Sequence, residues 1–333
     1  MSEYYETIIV GGGPAGSSCA WKLKKQGKEV LVLDKESFPR LKLCAGWITS
    51  KVMEKLEFTP EDYPHSILKL NTKMYIAPLP FSLGRWPTRW TDYSIRRIEF
   101  DRWLLERSQA PIINHHVKKI EKQGGHYLID EQYECKYLVG AGGTGCPVRR
   151  TFFPNQRVQE KQIVTLEKEF EYPQRDNTAH IFFFSRGLKG YSWYVPKGNG
   201  YVNIGLGGLS SYFKKSGINI HDHFRWFLED SIERGLLDEK TAKELKVSGY
   251  SYYLYTKQGE VKHDNCFLIG DSAGLASVDL GEGISPSIES GLLAADEILG
   301  NCQYTKKAIS RFSLNRFWQW IIEPWLLKIL EVW

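Results

Sequence analysis

The apolar positions of this chain come in short β-branched runs that keep arriving at glycine turns. Residues 7–10 form one such run, which predicts a buried strand. It leads into Gly11-Gly12-Gly13-Pro14-Ala15-Gly16 and then a helical period over 15–26. A second apolar run, 30–33, ends at Asp34. The same step recurs at 136–139, which enters Gly140-Ala141-Gly142-Gly143-Thr144-Gly145, and at 266–269, which enters Gly270-Asp271-Ser272-Ala273-Gly274. Gly281-Glu282-Gly283 then opens a helix running to Ile298. Helices are also expected over 49–56 and 100–107, and strands at 68–76, 81–83, 93–97, 115–120 and 126–129. The texture changes between about 160 and 256, where 164–170, 180–184, 191–195 and 201–206 predict successive antiparallel strands. Helices over 221–234 and 239–245 follow. This pattern predicts a second, sheet-based domain inserted between parts of the first.

The first glycine turn has the G-x-G-x-x-G spacing of a dinucleotide site. Gly11 permits the tight turn, Gly13 lets a pyrophosphate approach the backbone, and Gly16 lets helix and strand pack closely. Asp34 can accept hydrogen bonds from a ribose hydroxyl, and the helix N-terminus offers N–H groups and a positive dipole end. The second site is Asp271 at the end of its strand, placed to bind a polyol. Twelve residues later Gly283 and Ile284 start a helix whose positive end suits an anionic reduced flavin. A plain NAD dehydrogenase has no need of this distant second site, so the pair predicts FAD.

Composition narrows the setting. The 333 residues carry a net charge of +5 with no basic block, which argues against a nucleic-acid partner and suits an anionic cofactor or an acidic membrane surface. Six cysteines are scattered without a C-x-x-C pair, so neither a metal site nor a disulfide framework is expected. His221 and His223 lie two apart on a helix and His115 and His116 adjoin on a strand, so neither pair reads as metal ligands. The chain enters a strand within a few residues, which leaves no room for a signal peptide and points to a cytoplasmic setting. No apolar run is long enough to span a bilayer. The aromatic tail 317–333, interrupted by Pro324, could dock on the protein, close a dimer or lie in a bilayer interface as a peripheral contact.

Taken in order, Gly11 to Gly16, Asp34, Lys42-Leu43-Cys44-Ala45-Gly46, Arg97-Ile98-Glu99-Phe100-Asp101 and Gly270-Asp271 to Gly283 resemble the geranylgeranyl reductase family of FAD-dependent oxidoreductases. The resemblance covers residues 5–300. It implies an α/β fold of the para-hydroxybenzoate hydroxylase type. A discontinuous Rossmann-like FAD domain of the glutathione-reductase kind would occupy 1–65, 97–155 and 257–300. An antiparallel-sheet substrate domain would occupy 66–96 and 156–256, and a C-terminal helical tail 301–333. Gly11, Gly13, Ala15, Gly16, Asp34, Lys35, Arg97 and the backbone at Val117 would hold the ADP half of FAD. Cys44, Ala45, Gly46, Asp271, Gly283 and Ile284 would surround the ribityl and isoalloxazine parts.

Tyr191-Ser192-Trp193-Tyr194-Val195-Pro196 is similar to the family's Y-x-W-x-F-P segment. Alternation puts Tyr191, Trp193 and Val195 on one strand face, as candidate lining for a long apolar substrate. Departures are Val195 for phenylalanine, Leu188 for the upstream proline, Cys44-Ala45-Gly46 for C-G-G, and Ala141-Gly142-Gly143 for A-D-G. The last leaves the electron donor open between NAD(P)H and a redox protein. The implied reaction is hydride transfer from reduced flavin to a prenyl-type C=C bond, with Cys44 as candidate catalytic residue. The alternatives are a flavin-dependent monooxygenase or halogenase acting on an apolar or aromatic substrate, and an electron-transfer flavoprotein.

Overall fold

The computed structural model describes residues 2–77, 82–83, 90–154, 161–173 and 175–313. The aromatic tail 317–333 lies outside the described residues. The described residues divide into two compact units, one within 1–41, 98–159 and 252–313, the other within 42–97 and 160–251.

The first unit is built on an eight-stranded sheet. Cys266–Leu268, Tyr133–Gly140, Glu3–Val10, Val30–Asp34 and Ile112–Asn114 lie side by side and parallel, so their carboxyl ends share one edge. Ile8, Ile9, Leu31, Val32, Leu33, Leu138 and Val139 are all fully buried, as expected of parallel strands covered on both faces. The helices Pro14–Lys25 and Ile284–Ile298 come from opposite ends of the chain and pack against each other. A Cβ at Gly291 would overlap the Ala15 carbonyl oxygen, so only glycine allows this approach. Lys22 and Asp296 pair at 2.5 Å across the same two helices.

Two local expectations fail here. Residues 115–120 are not a strand: Ile112–Asn114 ends before them and Ile120–Gln123 begins only at the last of them. The Asp130 carboxylate draws that segment into a loop, accepting from Lys119 N at 2.7 Å, Lys118 N at 3.1 Å and pairing with His115 Nε2 at 2.7 Å. Strand 93–97 is also shorter than expected, because Asp92–Ser94 ends early and Arg97 already starts the helix Arg97–Arg107.

The second unit holds a seven-stranded sheet. Its order is Ser248–Tyr253, Gln162–Glu171, Tyr201–Leu209, Gly190–Pro196, Thr178–Phe183, Asn71–Ile76 and Ser82–Leu83. Thr178–Phe183 pairs antiparallel with Gly190–Pro196, within the expected antiparallel run, and on its other side pairs parallel with Asn71–Ile76. Asn71–Ile76 arrives from a distant part of the chain rather than by a hairpin, so nothing forces reversal. A three-stranded sheet joins Trp47–Thr49 and Leu68–Lys69 to either side of Asp92–Ser94. That pairing carries residues 42–65 with the second unit.

One face of the large sheet is covered by the helix Ile220–Glu233, with Phe224 and Phe227 packed against Tyr194, Leu166 and Ile204. On that helix His223 is buried edge-on against Trp226 while His221 is exposed. The other face carries Trp193, Val195, Ile181 and Met74, with Ala45, Trp47 and Tyr191 against them.

Gly291→Ala should destabilise the first unit by about 3 kcal/mol, since the added methyl meets backbone rather than a movable side chain. Urea unfolding followed by circular dichroism checks this; a midpoint equal to the parent's would refute the close approach.

Candidate functional site

At the carboxyl edge of the parallel sheet, Gly11 has φ +115° and packs under the Ala141 carbonyl, with no room for a side chain. A Cβ at Gly16 would overlap the Gly11 oxygen, which keeps helix Pro14–Lys25 tight against its strand. Gly13 is the N-cap of that helix, Pro14 its first residue, and no side chain caps the first turn from Gly13. The N-terminal amides are therefore left for an anion. Asp34 is buried at the end of Val30–Asp34 and accepts from Gly12 N at 2.7 Å and Glu36 N at 2.9 Å. A carboxylate has about four acceptor sites, so two remain for ribose hydroxyls.

Lys35 is exposed, its nearest carboxylate Glu36 at 3.8 Å. Val117 is buried in the loop after Ile112–Asn114, whose first residue His115 donates its amide to Asp34 O at 2.8 Å. Arg40 belongs to no motif of the sequence. Its guanidinium would stand 3.3 Å from a Cβ on Gly13, lies over the Phe38 ring, and pairs with buried Asp101 at 3.4 Å. A cation is thus held beside the glycine turn by a residue that carries no spacing signal.

The second motif comes to the same edge. Gly270, at φ +60°, leaves only 2.9 Å between its missing Cβ and the Ala15 Cβ, and its amide donates to Ser290 Oγ at 2.9 Å. Asp271 follows in the turn, and a Cβ on Gly283 would lie 3.4 Å from its Oδ1. Gly283 is the N-cap of helix Ile284–Ile298 and supplies no side-chain cap. Glu282 occupies one amide of that first turn, accepting from Ser285 N at 2.7 Å. Gly11, Gly13, Ala15, Gly16, Asp34, Asp271, Gly283 and Ile284 are thus gathered within one unit. Two glycine-capped helix N-termini and two carboxylates, Asp34 and Asp271, fit an extended dinucleotide with a ribityl arm, which is FAD.

Cys44, Ala45, Gly46 and Arg97 belong to the second unit. Gly46 has φ +62°, and its amide donates to Cys44 Sγ at 3.3 Å. Its carbonyl accepts from Ile95 N at 2.9 Å. Tyr191, Trp193 and Val195 share the sheet face that meets Ala45 and Trp47, and the Tyr191 and Trp193 rings lie 5.7 Å apart. The Trp193 indole N–H is spent on Asn203 Oδ1 at 2.7 Å, and its ring is buried in that apolar cluster. Asn203 in turn donates to Glu167 Oε2 at 3.1 Å. Glu167 is nearly fully buried, and burial pushes its carboxyl up to about 7 against the pull of Asn203, Lys42, Lys197 and Arg97. Lys197 is also wholly buried, and burial lowers its ammonium to about 8, with Glu169, Cys44 and Glu167 opposing. Neither Glu167, Asn203 nor Lys197 carries a signal in the sequence.

Residues 9–72 match the model of an NAD(P)-binding Rossmann-like domain. The chain is 31% identical to an uncharacterized protein of Methanosarcina barkeri, covering 92% of this chain and 78% of that one. It is 26% identical to digeranylgeranylglycerophospholipid reductase 3 of Methanosphaera stadtmanae, covering 92% and 81%. A geranylgeranyl bacteriochlorophyll reductase-like protein of Thermoplasma acidophilum shares the fold at TM-score 0.73 and 18% identity, over 99% of this chain and 86% of that one. Solved structures of this fold also include flavin-dependent halogenases, so the fold alone does not choose the chemistry. Among the described residues no helix is long and apolar enough to cross a membrane.

Glu167 makes a pH prediction with a definite sign. Its folded value of about 7 stands above the ordinary 4.5. Its contribution to stability is therefore complete below pH 4.5 and lost as pH rises through 7. Glu167→Gln keeps an acceptor for Asn203 without the charge. It should equal the parent at pH 4.5 and exceed it by on the order of 2 kcal/mol at pH 8, measured by denaturant unfolding. A variant weaker than the parent at pH 8 would mean that the neighbouring cations need the ionised form.

Proposed function

The chain belongs to the geranylgeranyl reductase family of FAD-dependent oxidoreductases, and we propose that it reduces C=C bonds of a geranylgeranyl-type isoprenoid lipid. The observation that carries this reading is the apolar face of Tyr191, Trp193 and Val195, continued by Ala45 and Trp47 from the segment that bears Cys44. A polyprenyl chain presents only methyl and alkene surface, which such a wall can bind and orient but cannot hydrogen-bond. Trp193, its N–H already committed to Asn203, is suited to that task.

The cofactor is FAD. When bound and reduced, FAD supplies the hydride equivalent for the alkene carbon. In this reading the first unit holds the dinucleotide. Gly11, Gly13 and Gly16 bring backbone to the pyrophosphate, Arg40 adds its charge there, Asp34 takes the adenosine ribose and Asp271 the ribityl chain. Val195 and Trp193 keep water from the alkene. Cys44 delivers a proton to the second alkene carbon, with its sulfur oriented by the Gly46 amide. The electron donor is either NAD(P)H or a redox protein, and the tail 317–333 offers a peripheral contact with the membrane that stores such lipids.

Flavin halogenase or monooxygenase chemistry is the second reading, favoured by the shared fold. Anaerobic photoreduction of the FAD-loaded protein followed by a digeranylgeranyl phospholipid separates the two. Reoxidation under nitrogen with a saturated product supports the reductase; reoxidation that needs oxygen and yields a hydroxylated or halogenated product replaces it.

Under the same conditions Cys44→Ala should lower kcat about 100-fold with little change in KM, the usual scale for a lost proton donor. Turnover equal to the parent's would leave Cys44 a packing residue only.

A further inference from the structure

A lysine with no solvent exposure needs a reason. Taking an ammonium out of water costs several kcal/mol, and a methionine of similar length would fill the same space without that cost. Lys197 directly follows the aromatic strand Gly190–Pro196. Its Nζ donates to the Ala45 carbonyl and, at 2.8 Å, to the Ile95 carbonyl. Between those acceptors sits Gly46, whose missing Cβ would overlap both Ile95 O and Lys197 Nζ. The Gly46 amide holds Cys44 Sγ, and its carbonyl holds Ile95 N. The backbone of Lys197 is itself fixed, its amide donating to Tyr201 O at 2.7 Å. One buried side chain therefore ties the Cys44-Ala45-Gly46 turn and the Ile95 backbone to the end of the aromatic strand.

We propose that Lys197 is a positioning residue: its ammonium clamps the Cys44–Gly46 turn and so sets where the Cys44 thiol stands. The carboxylates Glu167 and Glu169 provide the negative field that keeps the ammonium in place, while Arg97 opposes it. The catalytic consequence rests on the reading that Cys44 serves the reaction; the clamp itself does not.

The cysteines supply a test with internal controls. Cys44 is half-buried, Cys302 is exposed, and Cys19, Cys135, Cys146 and Cys266 are buried. Iodoacetamide labelling of the FAD-loaded protein, resolved by peptide mass spectrometry, reads all six at once. In Lys197→Met the Cys44 rate, normalised to Cys302, should change at least fivefold while the buried four stay protected. Lys197→Arg, which keeps charge and donors, should bring it back within twofold of the parent. An unchanged Cys44 rate in Lys197→Met with the buried four protected overturns the clamp. So does labelling of the buried cysteines in step with Cys44 in both variants, which would make Lys197 a residue of global stability.

Turnover of a digeranylgeranyl phospholipid by dithionite-reduced protein is the second readout. Lys197→Met should lose at least tenfold in kcat with KM within threefold. A shifted Cys44 rate with kcat unchanged keeps the clamp and removes the proposed role of the turn in the reaction.

Discussion

The first unit depends on a backbone contact that admits no side chain. Ala15 is touched from two directions, by Gly270 at the end of a distant strand and by Gly291 on the helix that follows it. Ala15 also lies in the first glycine turn, directly before Gly16. A single point of close packing thus joins the N-terminus of helix Pro14–Lys25 to the segment bearing Asp271 and Gly283. Packed interiors tolerate little change of volume, so this contact fixes the spacing between the two ends of a long cofactor site. The first glycine turn and the segment bearing Asp271 are set relative to each other by steric exclusion at Ala15.

This division explains what was legible in the chain. The strand 7–10, the turn to Gly16 and the terminal acid Asp34 are local features, and a glycine required by backbone conformation shows directly in the sequence. The alternation of Tyr191, Trp193 and Val195 was equally legible, because strand faces follow from parity alone. The misreadings have tertiary causes. Residues 115–120 carry strand-like residues, but Asp130 captures the backbone amides that a strand would have used. Thr178–Phe183 has a parallel neighbour because its partner comes from another part of the chain, which no local pattern reveals.

The buried charges were the least legible. Lysine and glutamate are ordinarily surface residues, so nothing in the sequence marks Lys197 or Glu167 as buried. Arg40 likewise sits in a loop without a motif. Each has meaning only through what the fold brings to it: Asp101 and Gly13 for Arg40, Asn203 for Glu167, the Ala45 and Ile95 carbonyls for Lys197.

These charges also account for how one sheet serves two environments. The helix-covered face, with Tyr194, Phe224 and Phe227, is an ordinary apolar core. Under the proposed function the opposite face stays apolar for a lipid, while a proton-transfer step needs polar groups close at hand. The strand geometry resolves the conflict by committing each polar atom inward. The Trp193 N–H goes to Asn203, Asn203 to Glu167, and the Lys197 ammonium to backbone carbonyls. Each of these groups already has a partner inside the protein, and a polar group already hydrogen-bonded has less to gain from water. The sheet can therefore keep a thiol and an apolar surface on neighbouring segments without wetting either.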